Sequence, residues 1–295
     1  MELRHIRYFL AVAEEGNFTR AAARLGIGQP PLSQQIRDLE NEVGARLFDR
    51  VPHGAELTDA GRTFLEHVRA FPQRASSAID AARRAARGET GFLGLGFTGS
   101  SALNPVVSSA IRSYRRAYPE VELRIDETNS SALAAGLHEG RLDVAILRPD
   151  GIETGGLEIH RYPDEPLIAA LPIRHVAAQQ GPRIDLQILR GEPLIVTPRT
   201  AGPTFYDAVV GGCRAAGFEP ALAQSAPQIV SILTLVAAEL GVALIPASMR
   251  QLGFKGVAYR SIRKNRPMVS LAVAYRHGDD SPFTRNFVAH ACGTR

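Results

Sequence analysis

The chain has 295 residues, 45% of them hydrophobic and 22% charged, and a formal net charge of +4. These are globular values, with room for a small module beside a core of roughly 200 residues, and they exclude a largely disordered protein. Cys213 and Cys292 are too few for a disulfide scaffold or a zinc site. No stretch reaches the ~20 apolar residues of a membrane span, and MELRHIRYFL has no signal-peptide run, so a reducing cytoplasm is expected and no membrane partner. The charge is too modest to reveal a nucleic-acid ligand, because the first 90 residues mix acids and bases almost evenly.

Leu3, Ile6, Leu10 and Ala13 have helical spacing, and Gly16 ends that helix. From Phe18 to Leu47 the pattern predicts two short helices joined by a tight turn. Ala21, Ala22 and Leu25 give the first a close-packing face; Gly26 and Gly28 permit the turn at Ile27. Pro30 and Pro31 suit the first turn of the second helix, and Leu32, Ile36 and Leu39 share one buried stripe. At about 100° per residue, Pro30, Ser33, Gln34 and Arg37 fall opposite that stripe. Hydroxyl, amide and guanidinium groups there could read base edges and grip phosphates, as in a helix-turn-helix. Periodicity alone fits an ordinary amphipathic hairpin equally well. The run DRVPHGAEL has the Pro and Gly of a hairpin tip.

Thr58 and Asp59 open a helix expected to run without a strong stop to Gly88. Phe64, Val68, Phe71, Ala75, Ala78, Ala82 and Ala85 form a heptad seam, which implies a partner helix, most simply from a second copy of the chain. Packing on the protein's own domain is the alternative. Pro72 should kink this helix. Beyond Gly91, strands are expected at 92–97, 121–125, 144–147, 194–196 and 242–245. Helices are expected at 105–116, 132–139, 204–216, 228–240 and 283–291. This alternation is an α/β pattern and predicts parallel sheets with helices on both faces. YPDEPLIAALP and NRPMVSLAVAYR lie where the chain could cross between two lobes.

In such folds ligands gather at the carboxyl ends of strands, beside helix N-termini. Three hydroxyl-rich places qualify: 98–101, 128–131 and 200–205. Ordinary N-capping explains any one of them, but three at corresponding strand ends favour a cleft for a small carboxylate, bound by neutral donors. Gly94, Gly96 and Gly99 spell GxGxxG. The first two fall inside a strand and no acid follows at the required distance, so a dinucleotide site is not expected. The histidines show no metal-ligand spacing, and Ser100 and Ser101 lack a base partner, so no enzyme, metal or cofactor is expected. The sequons at Asn17 and Asn129 are read as chance matches.

Residues 1–50 closely resemble the winged helix-turn-helix of LysR-type transcriptional regulators. LGFTGSSAL, HEGRLDVAI and LVAAELGVALIPAS resemble that family's effector-binding domain, a two-lobed fold like the periplasmic binding proteins. The resemblance covers essentially the whole chain. It implies a DNA-binding domain at 1–58, a linker helix at 59–88 that dimerises, and an effector domain at 89–295. Lobe I would comprise about 91–161 and 268–295, and lobe II about 162–267.

By the same resemblance Thr19, Gln29, Pro30, Pro31, Ser33, Gln34 and Arg37 face DNA, with Arg50 and His53 in or beside the wing. Gln34 departs from the arginine common in relatives. The nearest likeness is to the subgroup controlling aromatic-compound degradation, which senses muconate- or benzoate-type acids. That likeness implies a cytoplasmic homotetramer, a dimer of dimers on an inverted-repeat operator, which works with RNA polymerase, usually as an activator. It puts Thr98, Ser100, Asn129, Ser130, Arg148, Thr204 and Phe205 at the effector cleft. Arg148 could face a ligand carboxylate or, more simply, pair with a neighbouring acid. Gln228 stands where some relatives carry an acid, which would leave Arg148 unneutralised. An effector-independent repressor on the same fold, and a solute-binding protein, are the alternative functions.

Overall fold

A computed structural model describes residues 1–52 and 54–293, and the chain divides into two compact units between Arg84 and Ala85. The first contains α1 (Leu3–Glu15), α2 (Phe18–Leu25), α3 (Gln29–Val43), β1 (Phe48–Val51), β2 (Gly54–Leu57), α4 (Asp59–Val68) and most of α5 (Phe71–Ala86). Asn17 starts α2: its Oδ1 accepts from the N–H groups of Thr19 (2.9 Å) and Arg20 (3.1 Å). The asparagine of the first sequon is therefore an N-cap. Gly26 ends α2 at φ +70°, a conformation costly for any residue with a Cβ, and this sets the sharp turn into α3.

Leu32, Ile36 and Leu39 are fully buried, as the spacing requires, and pack with Phe9, Val12 and Leu47. Phe9 lies edge-on to Phe64 and tilted against Phe48, with ring centroids 5.0 and 5.2 Å away. Glu40 Oε1 accepts from the N–H groups of Leu47 (2.8 Å) and Phe48 (3.1 Å), which ties α3 to the start of the antiparallel hairpin β1–β2.

The single helix expected from 58 to 88 is two helices, broken at Arg69 and Ala70. Pro72 sits in the first turn of the new helix, where its missing N–H removes no hydrogen bond, so it starts α5 instead of kinking a longer one. The seam divides at the same point. Phe64 and Val68 pack into the core of their own unit, whereas no residue of α5 is buried.

The second unit runs through β3 (Thr90–Phe97), α6 (Pro105–Ala117), β4 (Glu120–Glu127), α7 (Ser130–His138), β5 (Val144–Leu147) and β6 (Leu157–Arg161). The chain continues through β7 (Glu165–Pro172), β8 (Arg183–Ile184), β9 (Pro193–Val196), α8 (Pro203–Ala215), β10 (Ala221–Ser225), α9 (Ile229–Ala237) and β11 (Ala243–Pro246). It ends with β12 (Val257–Ile262), β13 (Met268–Val269), β14 (Ala272–Arg276) and α10 (Pro282–Gly293). One sheet, ordered β4-β3-β5-β14-β6, forms the first lobe. The second lobe holds β11-β7-β12-β8, with β13 on β7, and the pair β10-β9, joined to β11's lead-in by a Leu194–Val242 bridge.

All five expected strands and all five expected helices form, but the sheets are mixed. β3 runs parallel to β4 and β5, and β9 to β10. By contrast β14 is antiparallel to β5 and β6, and β7 to β11, β12 and β13. The helical crossover that enforces parallel pairing operates only within a lobe; β14, which returns from the other lobe, enters its sheet from the opposite end. Gly94 and Gly96 lie inside β3. The Gly94 N–H donates to Asp143 Oδ2 (2.7 Å), and a Cβ on Gly96 would come within 2.5 Å of Leu133, so both serve packing.

Candidate functional site

Two surfaces gather the residues singled out by the sequence. On α3, Pro30, Pro31, Gln34 and Arg37 are exposed and Gln29 is half-buried. Thr19, at the start of α2, and Arg50, on β1, are also exposed; His53 lies outside the described residues. Gln34 donates to Asp38 Oδ1 (2.8 Å), which leaves its amide oxygen outward. Arg37 Nε donates to the Ser33 carbonyl (3.3 Å), and its terminal nitrogens stay available. The Arg50 guanidinium lies over the Phe18 ring, 5.5 Å from the centroid. Ser33 departs from expectation. It is buried, with its hydroxyl accepting from Gln29 Nε2 (2.8 Å), because its position on the helix borders the Leu32–Ile36 stripe. Its hydroxyl thus holds the Gln29 amide one turn away.

The second surface is a cavity between the lobes, with about 510 Å³ not filled by protein atoms, some of it open to solvent. Thr98, Ser100, Asn129, Ser130, Arg148, Thr204 and Phe205 all line it. So do Thr197, Gly202, Pro227, Gln228 and Ile229. Three helices begin here. Asn129 caps α7, its Oδ1 accepting from Ala132 N (2.9 Å), which again makes a sequon asparagine an N-cap. Neither α8 nor α9 has a side-chain cap. α8 opens with Pro203, which has no N–H, so its first donors are those of Thr204 and Phe205; these and the first N–H of α9, at Ile229, belong to residues that line the cavity and have no backbone acceptor among the described residues.

The hydroxyls divide by where their protons go. Thr98 Oγ1 donates to Ser101 Oγ (3.0 Å), and Thr204 Oγ1 donates to the carbonyls of Arg148 (3.2 Å) and Asp150. Both protons are spent inside the protein, and the Thr204 bonds strap α8 of one lobe to the strand end of the other. Ser130 Oγ accepts from Arg148 N (3.1 Å) and Ser100 Oγ from Arg148 Nε (3.0 Å). A hydroxyl that accepts keeps its own proton to give. Because the Thr98 proton goes to Ser101, the contact between Ser100 Oγ and Thr98 Oγ1 (3.2 Å) takes the Ser100 proton, so Ser130 is the donor with capacity left. Gly99 is held between side chains: a Cβ there would lie 2.7 Å from Glu127 Oε1 and 3.0 Å from Gln228 Oε1.

Arg148 is not unneutralised. The residue is 2% exposed, and its Nη2 lies 3.6 Å from Glu165 Oε2. It also donates to the Ser270 carbonyl (3.0 Å) and the Ser100 carbonyl (3.0 Å). Glu165 in turn accepts from Asn104 Nδ2 (3.1 Å) and Ser248 N (2.6 Å). Burial pushes the Arg148 pKa down to about 10, with the Glu165 carboxylate opposing the shift, so the group stays cationic at neutral pH. Arg148 lies beneath the cavity and fixes Ser100. The simpler reading, a pair with a neighbouring acid, holds; that acid is Glu165, at the start of β7, and the glutamine at position 228 does not leave Arg148 unneutralised.

Comparison with known proteins identifies the family. Residues 3–62 match the model for the bacterial regulatory helix-turn-helix protein, lysR family, and residues 86–292 match the LysR substrate binding domain. The chain is 38% identical to the HTH-type transcriptional regulator AlsR of Bacillus subtilis, over 98% of this chain and 94% of that protein. It is also 38% identical to the HTH-type transcriptional regulator IlvR of Caulobacter vibrioides, over 96% of this chain and 94% of that protein. Full-length CbnR, crystallised with its target DNA, superposes with a TM-score of 0.86 at 30% identity, covering 99% of each chain. The chain belongs to the LysR family: it is a DNA-binding transcriptional regulator with an effector-binding domain.

Proposed function

We propose that the interlobe cavity binds a small carboxylate effector, of the aromatic-acid or ring-opened muconate type, and that its occupancy controls the DNA-binding form. The observation that carries this reading is the start of α8 and α9 at one cavity without side-chain caps. Free N–H groups at helix N-termini attract anions, and here they need no lysine or free arginine. Ser130 adds a hydroxyl donor, Ser100 lines the same wall, and Phe205, buried there, gives an apolar face for a ring or chain. Thr98, Arg148 and Thr204 hold these groups, while Asn129 shapes the start of α7. The aromatic class rests on the sequence resemblance alone.

In this reading Thr19, Gln29, Pro30, Pro31, Gln34 and Arg37 contact an inverted-repeat operator, with Arg50 from the wing. α5, with no buried residue of its own, pairs subunits, and two dimers form a tetramer in the cytoplasm that engages RNA polymerase as an activator. An effector that prefers one arrangement of the lobes shifts the population toward it and so alters operator binding. Paired substitutions test the separation. Arg37→Ala should weaken operator binding and leave effector affinity intact; Ser130→Ala should do the reverse. Equal loss of both functions in either variant rejects this reading.

A further inference from the structure

We propose that a basic face on the second lobe, centred on Arg183, Arg263 and Lys264, is a second DNA-phosphate contact surface adding sequence-independent affinity to that of the helix-turn-helix. The charge is unevenly placed. Residues 162–267 hold eleven Lys and Arg against seven Asp and Glu, residues 1–161 hold twenty against twenty-one, and residues 268–295 three against two. The whole formal excess of +4 is therefore matched by the second lobe alone. Within it, no acid occurs between Glu239 and Asp279, while Arg250, Lys255, Arg260, Arg263, Lys264 and Arg266 crowd together.

The fold concentrates them further. β8 pairs with β12 so that Arg183 stands opposite Ser261. Arg250 donates to Ser261 Oγ (3.1 Å), and Arg263 Nε donates to the Arg183 carbonyl (3.2 Å). Lys264 and Pro182 complete an open groove with Arg183 and Arg263; Arg250 and Arg266 line a neighbouring one. All five cations are exposed, and among the described residues none of them is tied to a carboxylate. The tethers on Arg250, Arg263 and Arg266 are neutral oxygens, which orient the side chains without cancelling charge. Elsewhere on the lobe, Arg199 and Arg214 are paired with Asp207 and Glu219.

The first groove holds about 960 Å³, much of it open solvent, too shallow to enclose a compact anion. Cations spread over two adjoining grooves suit a repeating phosphate chain. DNA is favoured over an acidic protein because residues 1–84, which contain the helix-turn-helix, carry twelve cations against eleven acids and so give little net long-range attraction for DNA by themselves.

The test uses the full-length protein and a random-sequence duplex of about 60 base pairs, with binding followed by fluorescence anisotropy between about 50 and 200 mM NaCl. The patch variant carries Arg183→Glu, Arg263→Glu and Lys264→Glu. A control of equal charge change carries Arg141→Glu, Arg199→Glu and Arg214→Glu. With about 0.9 counterions released per phosphate contact, the patch variant should lose up to about 2.7 from the slope of log K against log salt, and bind at least about tenfold more weakly at low salt. The control should stay within about twofold of wild type. Lys264→Glu alone, at an exposed residue, should lower the slope by about 0.9 and guards against a folding defect in the triple variant. An unchanged slope in the patch variants overturns the proposal, including the case in which the face serves an acidic protein. Equal weakening by patch and control overturns it too, because bulk charge would then suffice.

Discussion

Arg148→Met should destabilise the effector-binding domain by about 3–5 kcal/mol, the usual cost of removing one partner from a buried ion pair. Methionine roughly matches the length of the arginine stem but has no donors. The substitution removes three hydrogen bonds, to Ser100 Oγ, the Ser100 carbonyl and the Ser270 carbonyl. It also leaves the Glu165 carboxylate, 8% exposed, without its cation. Asn104 and Ser248 N still donate to that carboxylate, which holds the expected loss within this range. Urea denaturation is the suitable assay, because urea does not screen charge as guanidinium salts do. In a double-mutant cycle with Glu165→Gln, the coupling between the two sites should exceed about 1 kcal/mol, since they share one network. An Arg148→Met loss below about 0.5 kcal/mol, or two losses that simply add, would refute the pairing as the source of the effect.

Other outcomes follow from local geometry. Leu32→Ala empties a fully buried position on α3 and should cost about 2–5 kcal/mol in denaturant unfolding of the N-terminal unit. Asn17→Ala removes the cap that serves two backbone N–H groups and should cost about 1 kcal/mol by the same measurement, with Asn17→Asp largely preserving it. The Asp150 carboxyl is held below its ordinary value by its hydrogen bond from Arg161 (2.6 Å), with a further bond from Ser270 Oγ. A carboxyl with a depressed folded pKa binds fewer protons folded than unfolded. Its stabilisation is therefore complete above the ordinary carboxylate range, near about pH 4, and lost as pH falls through the depressed value. Asp150→Asn should flatten that acid limb in urea midpoints measured across pH; an unchanged limb would exclude this carboxylate as its source.

What the sequence made legible was local. The stripe of Leu32, Ile36 and Leu39 is one helix's own periodicity, and the strands at 92–97 and 144–147 are short apolar runs that read the same in any context. The break after Val68 was hidden because the apolar seam continues through it, and a proline in a helix's first turn looks, in sequence, like one in its interior. Ser33 sits where a few degrees decide between burial and exposure. The Arg148–Glu165 pair joins a strand end to the start of the chain's crossing into the other lobe, and nothing in the spacing of the two residues announces it. The antiparallel returns of β7 and β14 are likewise consequences of that crossing. The start of α9 at the cavity left no hydroxyl signature, because an uncapped helix start needs none.

The most direct measurement is a thermal-shift series of wild type and Gly99→Val against small aromatic acids and their ring-opened dicarboxylates. A ligand specific for the native state, present at 100 times its dissociation constant, adds about 2.7 kcal/mol, a readily visible shift. Valine at Gly99 pushes into the space bounded by Glu127 and Gln228 and narrows the cavity. If the cavity is the effector site, at least one of these acids raises the melting temperature of the wild type and the shift disappears in Gly99→Val. A panel that leaves the wild type unmoved, or a shift that survives in the variant, would contradict that assignment.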